Sequence, residues 1–393
     1  MGPLLKTTSV LVAAVLLLFG GIYLGGHPEN LPEPLRDAFV EDDRALRAEI
    51  LEAIDDDFYK EVERSDLEQG SARGLVQGLD DRFSNYLTPK ETKQFEQSVS
   101  GQFEGVGMSV DQDKRGLRVL NVYEGSPAEK AGILKGEFIT EVDGRSIAGL
   151  SADAATARIK GPAGTRVKLE IVDPDTFEPR TLDVKREQIE LPVATGRTVE
   201  RDGRKLGVVE LATFSEGAHG LVRRKVNEQL KKGAEGIVLD LRGNGGGLLQ
   251  EAVLVSSVFI EDGLIVSTKG RTKPEKEYDA VGGAIGEDVP IVVLVDPGTA
   301  SASEIVAGAI KERDSGTVVG TRTFGKGVFQ EVQPLSNGGL LDITVGEYFL
   351  PNGENIGDKG VKPDVKARDN VETERDEALP IALDELASKA ATR

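Results

Sequence analysis

The chain has no cysteine and no tryptophan, and only two histidines, His27 and His219, in 393 residues. Without cysteine there is no thiol nucleophile, no thiolate metal site, no disulfide and no lipid-modified cysteine. The redox compartment therefore leaves no trace in the composition. His27 follows directly on an apolar segment, so a Ser-His-Asp triad would rest on His219 alone. A zinc site would have to be built almost wholly from carboxylates, which is uncommon. No metal and no other cofactor is expected. Positive charge is also in short supply, with 48 Lys and Arg against 67 Asp and Glu, a formal net charge of -19. A phosphate-backbone binder needs clustered Lys and Arg, so nucleic acid is not an expected partner. The same balance argues against adhesion of the folded part to an acidic lipid surface.

Long apolar runs are limited to one, Val10 to Gly26, with Lys6 and the amino terminus before it. Such a run suits a signal peptide or a single membrane helix. Its end, Gly-Gly-Ile-Tyr-Leu-Gly-Gly, lacks the small-x-small pattern of a cleavage site. An uncleaved anchor with the leading charge held inside is expected, and a secreted protein is the alternative. Either places everything after about His27 outside the cytoplasm, tethered to the membrane in the first case.

Beyond a Pro32/Pro34 linker the pattern turns helical and acidic, with Leu46, Ile50, Ile54 and Phe58 at helical spacing. From about Gly101 it changes to short β-rich runs with glycine turns. Val106, Met108 and Val110 alternate, Leu117 to Val122 fits a second strand, and Val167, Leu169 and Ile171 fit another. Ser126-Pro127 opens a short helix. From about Lys205 short apolar runs at Leu206–Val209, Gly236–Leu239 and Pro290–Val295 read as strands buried on both faces. The expected divisions are a signal or anchor segment (1–28), a helical region (29–98), a compact β-rich module (99–187), an α/β core (188–366) and a helical tail (367–393). In the tail, Leu379, Ala382, Leu383 and Leu386 form an apolar stripe expected to pack on the core, with a homodimer contact as the alternative.

Three segments carry candidate chemistry. Asp240-Leu241-Arg242-Gly243-Asn244-Gly245-Gly246-Gly247 follows a buried strand, and its glycines would let N–H groups converge on an anion. The spacing fits neither the dinucleotide fingerprint nor a phosphate loop, which leaves an oxyanion hole or a plain tight turn. Gly298-Thr299-Ala300-Ser301-Ala302-Ser303-Glu304-Ile305 leads from a strand into a helix. Ser301 and Glu304 have capping-box spacing, but a serine at such a turn also suits a nucleophile beside free N–H groups. Ser303 competes for the role. Thr323-Phe324-Gly325-Lys326-Gly327 sets a lysine between glycines before an apolar strand. That lysine is an exposed charge in a turn or a base carried into a dry pocket. Lowering a lysine pKa from about 10.4 to about 7.5 costs roughly 4 kcal/mol, within the reach of burial. A Ser-Lys dyad needs no histidine. Gln330, four residues beyond Lys326, would face the same side of a strand and orient it if Gly327 bends the chain.

Together these segments resemble the carboxyl-terminal processing proteases, Ser-Lys peptidases with an embedded PDZ domain. The resemblance rests on Thr299–Ile305, Thr323–Gly327 and Asp240-Leu241-Arg242 with its glycine run, and it spans from about Leu87 to about Val365. It implies an α/β fold: a β/α superhelical core of crotonase or Clp type with an inserted PDZ module. It further implies Ser301 as nucleophile, Lys326 as general base, Gln330 as its support, and an oxyanion hole from Ala302 and Gly246 or Gly247. In the middle module, Gly105, Val106, Gly107 and Met108 fall where a PDZ carboxylate loop and its strand would be, though Leu79 to Tyr86 match the family's amino-terminal motif only loosely. A PDZ module adds a peptide's last residues to a sheet edge, so protein substrates with apolar carboxyl ends are the expected partners. The activity implied is serine endopeptidase cleavage through an acyl-enzyme. A catalytically dead PDZ scaffold and an acyl-CoA enzyme on the same core are the competing readings. Retention of both Ser301 and Lys326 opposes the first, and the PDZ module opposes the second.

Overall fold

The computed structural model describes residues 21, 42–190, 193–286, 289–369 and 375–392. The apolar run Val10–Gly26, and with it the expected anchor, lies outside the described residues save Gly21. No helix among the described residues is long and apolar enough to cross a membrane. The chain divides into two compact units, Met1–Tyr86 and Leu87–Arg393.

In the first unit, helices α1 (Asp42–Asp57) and α2 (Arg64–Gln77) form where the helical pattern predicts them. The stripe that signalled α1 is not buried: Leu46, Ile50 and Phe58 are all exposed, and Phe58 lies past the helix end. A short strand, β1 (Asn85–Leu87), interrupts what the sequence pattern presents as continuously helical.

The second unit opens with α3 (Pro89–Ser100). Thr88 and Glu91 close a capping box at its start, and Gly101 ends it in the left-handed conformation. A ribbon of β2 (Gln102–Gly105) with β9 (Glu187–Glu190) then frames the β-rich module. Its sheet runs β3 (Met108–Asp113), β4 (Gly116–Val122), β5 (Phe138–Val142), β7 (Arg166–Val172), β8 (Pro179–Lys185), with β6 (Arg145–Ser146) on β5. All five pairings in it are antiparallel, and Leu117, Ile139, Leu169 and Ile171 fill its core. Helix α4 (Pro127–Lys130) begins at Ser126, whose hydroxyl accepts from Glu129 N–H at 3.2 Å. Helix α5 (Ala152–Ile159) packs on β3 and β4, leaving β3 as an edge strand beside a helix.

The core sheet runs β10 (Ala194–Arg201), β11 (Arg204–Leu211), β12 (Ile237–Asp240), β15 (Ile291–Val295), β16 (Thr317–Gly320), β19 (Val365–Lys366). From β11 onward every pairing is parallel. Both faces are therefore covered, which is why these strands read as unbroken apolar runs. One face takes α6 (Ala218–Lys231), α7 (Leu249–Ser256) and α8 (Ala302–Glu312). The other takes α9 (Ala378–Ala391), whose Leu379, Ala382, Leu383 and Leu386 are buried on Val208, Val238 and Leu294. The tail stripe thus serves the core, leaving that face unavailable for a second subunit. Leu386 seats on Gly236, where a Cβ would stand 2.8 Å from its Cδ1. Truncating so buried a leucine costs about 2–5 kcal/mol. A second, antiparallel sheet pairs β17 (Val328–Pro334) with β18 (Leu340–Phe349), then β13 (Leu264–Lys269) and β14 (Lys276–Asp279).

Candidate active site

The three candidate segments all leave the carboxyl ends of core strands. The glycine run follows β12, the serine turn follows β15, and the lysine turn follows β16. Parallel strands put such ends on one side of the sheet, so residues distant in sequence converge there.

Ser301 is the N-cap of α8, with φ 55° and ψ -118°. A left-handed helical residue has ψ near +47°, so this serine sits in a region that L-residues rarely adopt, at an expense of about 1–3 kcal/mol. Glu304 supports it. Its carboxylate is wholly buried and accepts four donors. Oε2 accepts Ser301 N–H at 2.9 Å and Lys326 N–H at 3.0 Å. Oε1 accepts Gly325 N–H at 2.7 Å and the Thr323 hydroxyl at 2.5 Å. The capping-box partner is therefore present, and the same group fastens the lysine turn to the serine turn. Tyr348 stands against this carboxylate with its hydroxyl 3.5 Å from the Ser301 carbonyl. Burial pushes the Tyr348 phenol well up, and the Glu304 charge adds to the shift.

Asn244 is the second joint. Its side-chain amide donates to Leu211 O at 2.7 Å, and its Oδ1 accepts Gly246 N–H at 2.9 Å. Its carbonyl accepts Ala300 N–H at 3.0 Å and the Ser303 hydroxyl at 2.9 Å. Ser303 is thereby buried and engaged, whereas Ser301 is half-buried at the turn. Gly246 has φ +104°, and a Cβ there would lie 2.8 Å from Ser301 Cβ and 3.0 Å from Ala302 N. Only glycine permits that approach. The N–H groups of Ala302 and Gly247 have no acceptor among the described residues.

The lysine turn has similar demands. Gly325 and Gly327 have positive φ, and a Cβ on either would strike the 357–360 backbone. Asn355 holds that loop by donating to Gly327 O at 2.7 Å and Tyr348 O at 2.9 Å. Lys326 is half-buried. Gln330 lies in β17 one residue past a bulge, and its amide donates to Thr344 Oγ1 at 3.0 Å. His219 is elsewhere, its Nδ1 2.9 Å from the buried Glu251.

Arg242 anchors the tail. It pairs with Asp240 at 2.7 Å, Asp369 at 2.8 Å and Asp376 at 2.9 Å. Burial opposes the Arg242 charge, but the bonds to Asp240 and Asp376 outweigh it and raise its pKa. Asp369 in turn accepts Glu377 and Ala378 N–H at the start of α9, both at 2.9 Å.

In the β-rich module, Gly105 ends β2, Val106 and Gly107 turn, and Met108 starts β3. Gly107 has φ +84°, with a would-be Cβ 2.3 Å from Ser126 Cβ. Val106 O accepts Ala128 N–H at 2.8 Å, and Gly107 O accepts Tyr123 N–H at 3.0 Å. The Val106 side chain is buried in the module's core, while Met108 is only partly buried.

Asn244 lies within the glycine run and Thr323 opens the lysine segment, whereas nothing in the local sequence marks Tyr348 or Asn355 as supports of the site.

Residues 205–367 match the model of peptidase family S41, and 118–173 match a PDZ domain model. The carboxy-terminal processing protease CtpA of Bacillus subtilis (strain 168) is 36% identical over 323 residues, 80% of this chain and 67% of that protein. The chain belongs to the carboxy-terminal processing proteases of family S41. These S41 proteins are serine-type peptidases, and this one carries its PDZ domain in the β3–β8 module. The CtpA-like serine protease of Staphylococcus aureus (strain COL) is 35% identical over 80% of the chain and 63% of its own length. The chain thus spans about two thirds of these relatives. A crystal structure of an S41 protease from Bacteroides fragilis NCTC 9343 shares the fold, with TM-score 0.50, 18% identity, and coverage of 84% of this chain and 91% of that one.

Proposed function

We propose that the chain is an extracytoplasmic endopeptidase in which Ser301 is the nucleophile and Lys326 the general base. One observation carries this reading: a single oxygen of the buried Glu304 binds the backbone N–H of both Ser301 and Lys326. A carboxylate out of water, fully hydrogen-bonded, fixes two turns as a unit. Neutral Lys326 takes the Ser301 proton as Oγ attacks the peptide carbonyl. The oxyanion meets Ala302 N–H at the start of α8, where helix N–H groups are unsatisfied. From the glycine run, Gly247 is the better donor, because Gly246 N–H is committed to Asn244. Collapse breaks the C–N bond, the leaving amine takes the proton from Lys326, and water then cleaves the acyl-enzyme with Lys326 again as base. Gln330 orients the lysine stem from β17.

Substrate reaches the site by its carboxyl end. A peptide would add to the free edge of β3 beside α5, with its carboxylate at the Gly105–Gly107 turn. Since Val106 serves the core, selection of apolar ends falls to Met108 and its surroundings. The Val10–Gly26 run would tether the enzyme to the membrane.

The test is digestion of an unfolded protein by the parent chain beside Ser301→Ala and Lys326→Ala. Both variants should lose at least about 10³-fold in rate. Parent-level cleavage by Lys326→Ala would sink the proposal. If the parent is silent, peptides with free apolar carboxyl ends should awaken it, and amidated ones should not.

A further inference from the structure

A cleft of about 440 Å³ opens at the carboxyl ends of the parallel strands β16 and β19. Of its eight lining residues four, Arg322, Lys362, Lys366 and Arg368, are cationic, in a chain whose net charge is -19. Among the described residues none of the four is in an ion pair. The acids nearest in sequence are engaged: Asp364 with Lys311 at 2.7 Å, and Asp369 with Arg242 at 2.8 Å. Arg322 is held in place by its bond to Lys359 O at 2.6 Å.

A second observation points to a ligand. Thr321 lines this cleft, and its buried hydroxyl oxygen has no hydrogen-bond partner among the described residues. Buried polar atoms are nearly always satisfied, and a hydroxyl beside four cations is completed by an oxygen acceptor that also answers the charge. Uncompensated like charge gathered in one cleft focuses field and draws counter-ions. The bare alternative, four solvated surface cations, leaves the Thr321 hydroxyl unexplained.

We propose that this cleft binds a small oxyanion of two or more negative charges, of the phosphate class. A single carboxylate would answer one arginine; four cations and a hydroxyl suit a multivalent group. The cleft ends at Arg322, one residue before Thr323, and so abuts the lysine turn without sharing residues with it.

The test uses the parent chain with inorganic phosphate, pyrophosphate and acetate at matched ionic strength, by titration calorimetry and ³¹P line width. Phosphate and pyrophosphate should bind saturably at one site, pyrophosphate more tightly, and acetate should not bind. Lys366→Gln with Arg368→Gln, both at exposed positions, should weaken phosphate at least tenfold without altering thermal stability in its absence. Thr321→Val should weaken it several-fold. No saturable binding by the parent, or an unchanged constant in the double variant, overturns the assignment.

Discussion

Two glycine-bearing turns in this molecule are proposed to receive an anion, and they are built differently. The turn at Gly246 and Ser301 is clamped by a buried carboxylate with four donors and by a buried asparagine with four bonds. The turn at Gly105–Gly107 is held by two carbonyl bonds, to Ala128 and Tyr123, next to an edge strand. Chemistry needs reacting groups fixed to a fraction of an ångström, while peptide capture needs an unpaired strand edge that accepts a newcomer. The difference predicts that damage to the first turn lowers turnover and damage to the second lowers binding.

Among the residues that support the site, the largest expected break is at Glu304. Glu304→Gln keeps the shape but turns one acceptor into a donor facing backbone N–H groups. We expect kcat to fall about 100-fold with KM for a short peptide nearly unchanged, since the loss is one of positioning. An equal fall in Tm and in bound peptide, with kcat preserved, would show a purely structural role. Next is Gly246→Ala, which forces a side chain onto Ser301 at positive φ. Activity should drop about 10–100-fold, while affinity for a carboxyl-terminal peptide stays at the parent value, checked by fluorescence anisotropy. Gly107→Ala sharpens the contrast from the other side. Its Cβ meets Ser126, so affinity for the same peptide should fall about tenfold.

The smallest effect concerns acid. Burial works against the Asp376 charge, but the bond from Arg242 and the Leu379 N–H hold its carboxyl below the usual range. A depressed folded pKa means the contribution is present above about pH 3.8 and fades as pH falls through the lower, folded value. The stability gap between the parent chain and Asp376→Asn, measured by urea unfolding, should therefore be clear at pH 7 and shrink below about pH 4. A gap that is constant with pH would remove the pair from the account.

How much of this was legible depended on distance along the chain. The strands of the core sheet were plain, because burial on both faces leaves unbroken apolar runs. Ser301 and Lys326 were found through the family motif, and Glu304 was visible only as a helix cap. Its grip on Thr323, Gly325 and Lys326 depends on β16 lying beside β15, which no local pattern encodes. The Arg242 contacts with Asp369 and Asp376 span more than a hundred residues and were unreadable for the same reason. Strand β1 is three residues long, too short for a periodicity to register. Leu46 and Ile50 mislead in the opposite sense, with a helical stripe that stays exposed.

The most direct measurement is the mass of the covalent intermediate, trapped from an activated ester at low pH and mapped by peptide digestion. The account predicts an acyl adduct on Ser301 in the parent chain, none in Ser301→Ala, and slow accumulation in Lys326→Ala. An adduct on Ser303, or parent-rate acylation without Lys326, would contradict it.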